Sequence, residues 1–118
     1  QKNKQKLRVG LMANNYKNVK LDLTATTVTT LYTAPAATQS IFKSILVSND
    51  SGSDDTVTLT ITNSAAAVFS VYKNEEVGAL SSKELLSQPL VVMESEILKV
   101  TVATADRLHV VASYLEIT

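Results

Sequence analysis

Residues Leu31–Ile61, LYTAPAATQSIFKSILVSNDSGSDDTVTLTI, decide the fold class. They read as strand, Pro-containing turn, strand, polar loop and strand. In Thr56–Thr62 the alternation is unbroken. Val57, Leu59 and Ile61 fall on one face, and Thr56, Thr58, Thr60 and Thr62 on the other. A period of two built from β-branched side chains marks a half-buried strand. The preceding Asn49–Asp55, NDSGSDD, gathers residue types whose side chains satisfy nearby backbone in turns. Ile41–Asn49 reads as apolar on both faces, with Ile41, Ile45 and Val47 on one and Phe42 and Leu46 on the other. Such a strand is expected to be covered on both sides, by a second sheet and by a neighbouring chain or arm. Ile41, Phe42, Ile45, Leu46 and Val47 are therefore the candidate interface strand.

Composition agrees with β structure. The 118 residues hold 14 Thr and 14 Val, whose branching at Cβ favours extended backbone. With no Cys there is neither a disulfide framework nor a thiolate metal site. The apolar run Leu90–Met93 is far too short to cross a bilayer, so no membrane partner is expected. No signal peptide is read in a chain that begins at Gln1.

A net charge of zero conceals an asymmetry. Lys2, Lys4, Lys6, Arg8, Lys17 and Lys20 are unopposed by any acid in residues 1–20, whereas residues 21–118 carry eleven acids against five cations. The chain therefore reads as a basic, extended N-terminal arm, 1–20, on an acidic β domain, 21–118. Gln1–Lys6 has nothing to bury and is expected to be mobile when alone, and Leu7–Ala13 has the alternation of a short strand. Asn14–Asn18 reads as a turn. Val19, Leu21 and Leu23 resume alternation, and the chain stays extended from Thr24 to Thr33. Pro35 marks a strand end.

Further on, Ala66–Lys73 is a strand and Asn74–Leu80 a connection containing Gly78. Ser81–Gln88 has two readings. Ser81 with Glu84 matches a helix capping box, but a strand is favoured because Leu90–Met93 and Ile97–Ala103 follow as a hairpin about Glu94–Glu96. Ala105–Arg107 is the last turn and Leu108–Ile117 the closing strand. Eight or so short strands predict an all-β, antiparallel β-sandwich of jelly-roll type.

Candidate chemistry is sparse. His109, the single histidine, points away from the Leu108 face alongside Val111 and Ser113, and reads as a surface or interface residue. Asp50, Asp54 and Asp55 with Asn49 offer oxygen ligands, but their spacing does not match an EF-hand, and a solvated turn is the better reading. Glu94 and Glu96 read as solvated turn residues. The six aromatics, Tyr16, Tyr32, Phe42, Phe69, Tyr72 and Tyr114, fall mostly at core-like positions, which argues against a sugar-stacking platform. The arm's cations would neutralise phosphates, yet the acidic body would repel a polyanion, so nucleic acid is not the expected partner. No catalytic, cofactor or metal residues are assigned.

Leu31–Asn49 resembles small β-sandwich structural proteins of tailed bacteriophages, in which a Tyr-Thr-x-Pro strand end (Tyr32–Pro35 here) precedes an apolar strand finishing in Asn and a polar turn. Thr56–Ile61 is similar to their TVTLxI strand. The stretch SSKELLSQPLVVMESEILKVTV, ending at Val102, resembles their polar turn, strand, Pro-hydrophobic segment, acidic hairpin turn and final strand. The family's hairpin usually carries Gly beside the acid, where this chain has Ser95. The resemblance covers about residues 30–118 and leaves the basic arm outside it. It implies a non-enzymatic virion component without cofactor: a capsid decoration (cement) protein, or alternatively a neck, tail or fibre-base protein. It also implies homo-oligomers, with a trimer favoured, and partners such as the major capsid protein. Decoration through the arm leads the readings, and deletion of Gln1–Lys20 is expected to leave a folded domain that binds shells poorly. A glycan- or receptor-binding sandwich is the third.

Overall fold

The computed structural model describes residues 14–118, so the readings made for Gln1–Lys6 and Leu7–Ala13 lie outside the described residues. The described chain is all-β. Its strands are β1 (Asn14–Asp22), β2 (Thr29–Thr33), β3 (Gln39–Asn49), β4 (Asp55–Thr62), β5 (Val68–Val77), β6 (Ser81–Glu84), β7 (Leu90–Val92), β8 (Ile97–Val102) and β9 (Leu108–Ile117). Two antiparallel sheets pack as a sandwich. One has the order β1-β9-β3-β6, with β7 also on β3; the other has the order β2-β8-β4-β5. Pairing is nested: β1 joins β9, β2 joins β8, β3 joins β6 and β7, and β4 joins β5.

The β3–β4 loop is built as its composition implies. Asn49, only 2% exposed, donates through Nδ2 to the carbonyls of Ser53 (2.8 Å) and Val77 (3.1 Å). Its Oδ1 accepts from the Ser51 amide (3.0 Å) and hydroxyl (2.7 Å). Asp54 accepts from the Ala79 amide, and buried Asp55 from the amides of Thr56 and Thr104. The carboxylates of Asp54 and Asp55 thus take up backbone donors, and the loop ties β3, β5 and the turn between β8 and β9 together.

Alternation in β4 holds as read, with Val57 and Leu59 at 0% exposure and Ile61 packed on the same core. In β3 it does not. The pairing with β9 slips between Phe42 and Ser44, and this β-bulge at Lys43 shifts the side-chain parity by one. Ser40 and Phe42 point inward before it; Ile45, Val47 and Asn49 point inward after it. Phe42 therefore shares a face with Ile45 and Val47, and the outward positions are Ile41, Ser44, Leu46 and Ser48. The two-faced division read from an unbroken period of two is corrected accordingly.

Three local readings also change. Asn14–Asn18 is the first half of β1, because its backbone completes a nine-residue ladder with β9. Asn74–Val77 belongs to β5, bent by Asn74 at φ 52°. Leu90–Val92 and Ile97–Val102 are not a hairpin: β7 pairs with β3 in one sheet, and β8 with β2 and β4 in the other. The turn between them is a crossover from sheet to sheet, with Ser95 at φ 67°, and Glu94 and Glu96 accept from the amides of Ala37 and Met93. Ser81–Glu84 is a strand, as favoured, with Leu85 buried beyond it. The capping-box residues make other bonds: the Ser81 hydroxyl donates to the Gly78 carbonyl, and the Glu84 carboxylate accepts from the amides of Ile45 and Leu86.

Inside, Tyr32, Phe42 and Tyr114 form a three-ring cluster with centroids 4.7–5.1 Å apart, surrounded by Val, Leu and Ile from both sheets. Each such side chain contributes about 1.5–3 kcal/mol on burial, so the core fixes how the two outer faces are presented. The aromatics divide more evenly than the sequence reading had them. Tyr32, Phe42 and Tyr114 are core, Tyr72 packs at its margin, and Tyr16 (76%) and Phe69 (55%) are exposed.

Candidate assembly surface

The outward face of the β1-β9-β3-β6/β7 sheet follows from register. Residues directly opposite on adjacent antiparallel strands bring their Cβ atoms to about 4.5–5.5 Å, so ladder partners form rows across the sheet. Tyr16 of β1 lies opposite Leu115 of β9, Leu115 opposite Ile41 of β3, and Ile41 opposite Val91 of β7. This apolar row crosses all four strand positions. Tyr16 and Val91 stand out at its ends, and Leu115 and Ile41 are half-buried between them. Farther along, Lys20, Val111, Leu46 and Glu84 make a second row, and Asp22, His109, Ser48 and Ser82 a third. Asn18, Ser113 and Ser44 lie between the first and second.

The outer face of the other sheet differs. Its rows are Glu76 with Thr56, Thr58 with Thr101, then Ser70, Thr60, Lys99 and Thr30, and at the far end exposed Val68 with Thr62, Ile97 and Thr33. Hydroxyls and a lysine suit contact with water. The sandwich is thus two-sided: a face rich in short hydroxyl side chains, with Val68 and Ile97 at one end, opposite a face with a transverse apolar row. Large apolar groups at neighbouring surface positions are the kind of patch that marks an interaction surface.

Strand β1 is held to the body by a buried polar link. The Glu116 carboxylate, 6% exposed, accepts from Tyr32 Oη (2.5 Å) and pairs with Lys17 Nζ (2.8 Å), while Tyr32 Oη also lies 2.5 Å from Ser40 Oγ. The link joins β1, β9 and β3 to β2, in the opposite sheet. The Lys17 ammonium beside Glu116, with the Tyr32 hydroxyl, holds this carboxyl below its ordinary value, and the same bond raises Lys17. Burial, then the bond to Glu116, pushes the Tyr32 hydroxyl up, so it is a constant donor. The link leaves no signal in the sequence, because Glu116 and Tyr32 are 84 residues apart.

Each residue singled out in the sequence now has a place. Of the arm cations, Lys2, Lys4, Lys6 and Arg8 lie outside the described residues. Lys17 is the partner of Glu116, and Lys20 is exposed on the outer face with its ammonium on Asn18 Oδ1 (3.0 Å). Of the interface strand, Phe42, Ile45 and Val47 belong to the chain's own core, and Ile41 and Leu46 remain on the outer face. His109 sits between two carboxylates, Asp22 (3.3 Å from Nε2) and Asp50 (3.8 Å from Nδ1). Both are exposed. Tyr16, read as part of a turn in the basic arm, is the outer-face residue that sequence reading missed; its ring carries the Lys43 ammonium at 5.9 Å. Among the described residues no cluster of His, Asp and Glu is arranged to hold a metal ion.

No protein-family model matches the chain, and no curated protein sequence matches it. Solved structures do resemble it. A subunit of the disulfide-linked pili that form Bacillus endospore appendages superposes with a TM-score of 0.57 at 13% identity, over 91% of this chain and 88% of the pilus chain. A chain of infectious bursal disease virus, Gx strain, gives 0.56 at 13% identity over 88% of this chain and 32% of the viral one. The VP2 protein of the same virus in T=1 particles gives 0.52 at 12% identity, with 88% and 31% covered. The likeness is one of fold: this chain spans nearly the whole pilus subunit and about a third of the viral chains.

Proposed function

We propose that the chain is a non-enzymatic structural subunit of a virion, of the capsid-decoration (cement) type, acting as a homo-oligomer and gripping neighbouring shell subunits. The carrying observation is the contrast between its two outer faces, one hydroxyl-rich and one crossed by Tyr16, Leu115, Ile41 and Val91. Nested strand pairing supports the jelly-roll form of the sandwich. The fold likeness to infectious bursal disease virus VP2 favours a virion, and the basic residues 1–13 supply long-range attraction to acidic neighbours. Exposed charge pairs contribute little each, so apolar area on the outer face supplies most of the affinity between subunits of the oligomer.

The test is a truncation. Because β1 is part of the sheet, the cut belongs before Asn14, not after Lys20. A chain lacking residues 1–13 is expected to fold and to bind shells poorly; undiminished decoration would remove the arm from the account. A second reading, a neck, tail or fibre-base subunit, is favoured by the pilus likeness, in which a sandwich chain of similar length belongs to a filament. Copy number separates them: hundreds per particle for a shell protein, about a dozen or fewer for a ring.

A further inference from the structure

We infer that the outer face of the β1-β9-β3-β6/β7 sheet pairs with the same face of a second copy, about a two-fold axis parallel to the strands between β9 and β3. The inference rests on the reading of the chain as an assembly subunit and names the partner of its apolar face. A two-fold along the strands lays each row on its own reverse. Tyr16 then meets Val91 of the second copy, and Leu115 meets Ile41, so apolar groups cover apolar groups in both directions. In the second row Lys20 meets Glu84 while Val111 meets Leu46; in the third Asp22 meets the Ser82 hydroxyl and His109 meets Ser48. Each of these three rows is complementary to its reverse.

The opposite choice of axis fails on charge. A two-fold running across the strands along the second row would set Lys20 on Lys20 and Glu84 on Glu84. Like charges so placed oppose association. Aligned packing of two such sheets also matches the usual geometry of sheet faces, within about 30° of each other. Four strands about 4.8 Å apart and some seven residues along each give a projected face of roughly 450 Å² per copy. That is below the roughly 800 Å² per partner of a standard interface, so the isolated chain is expected to dimerise weakly, at roughly 10–100 μM.

Sedimentation equilibrium of the full chain from about 5 μM to 1 mM, spanning this range, reads the association. Lys20→Glu, at an exposed site, is expected to weaken it about tenfold through two reversed pairs. Orientation is read by cross-linking, since the chain has no cysteine of its own. A mixture of Asp22→Cys and Ser82→Cys chains should give a covalent heterodimer with a short bismaleimide, while either variant alone stays monomeric. Monomer throughout the range, or Asp22→Cys chains linking to each other, would overturn the pairing. Particle binding is scored separately. A Lys20→Glu chain that dimerises as tightly as the parent and decorates shells normally overturns the two-fold contact and leaves the proposed function standing. A chain that dimerises as described but enters no particle does the reverse.

Discussion

Tyr32→Phe removes one oxygen and leaves the ring against Phe42 and Tyr114, so its cost isolates the polar link between the sheets. The lost hydroxyl donates to a 6%-exposed carboxylate and faces Ser40, which is fully buried. A hydrogen bond to a charged group contributes about 1.5–3 kcal/mol, and no cavity of consequence is created, so the variant should lose about 2 kcal/mol. For a domain of this length that lowers Tm by roughly 8 °C. Urea unfolding of both proteins at pH 7 measures the difference. The acid limb adds a second constraint. Lys17, and then Tyr32, hold the Glu116 pKa below its ordinary 4.5, so their contribution is complete above that value. It is lost as pH falls through the lowered folded value. The gap between wild type and Tyr32→Phe should therefore narrow on acidification below about pH 4. A loss under about 0.5 kcal/mol at pH 7, or a gap indifferent to pH, would refute the link as a source of stability.

Other expectations are as direct. Asn49→Ala should cost about 2–3 kcal/mol in denaturant unfolding, because it strips four hydrogen bonds from a buried position, and amide exchange in residues 50–54 should accelerate. Ser95→Gly should raise stability by about 0.5–1 kcal/mol, since Ser95 sits at φ 67° where glycine is unstrained. The bulge at Lys43 is tested by residues on either side of it: Ile45→Ala, inward, should cost about 3 kcal/mol, and Ile41→Ala, turned outward, clearly less. Equal costs at Ile41 and Ile45 would return β3 to an unbroken alternation.

How much of this was legible depends on range along the chain. The Thr56–Thr62 strand and the NDSGSDD turn were readable because alternation and turn chemistry are local. The Ser81–Glu84 strand was recovered only by weighing its neighbours, since a capping box fits the same letters. Three things were hidden. A single bulged residue reverses the parity of everything after it, so Phe42 changed faces without any change in composition. Partner choice is not written in a strand, so β7 and β8 looked like a hairpin although each pairs elsewhere. Finally, Asn14–Asn18 reads as turn by residue preference, but β9 supplies a ladder that overrides it. Hence Tyr16 reads as an arm residue in a turn, although it stands on the outer face of the sheet.

The account stands most directly on a density map of the intact particle that carries this chain. It predicts protein density packed on the row Tyr16, Leu115, Ile41 and Val91, with the Thr58, Thr60 and Lys99 face open to solvent. A chain held through that threonine-rich face, with the apolar row bare, would contradict it.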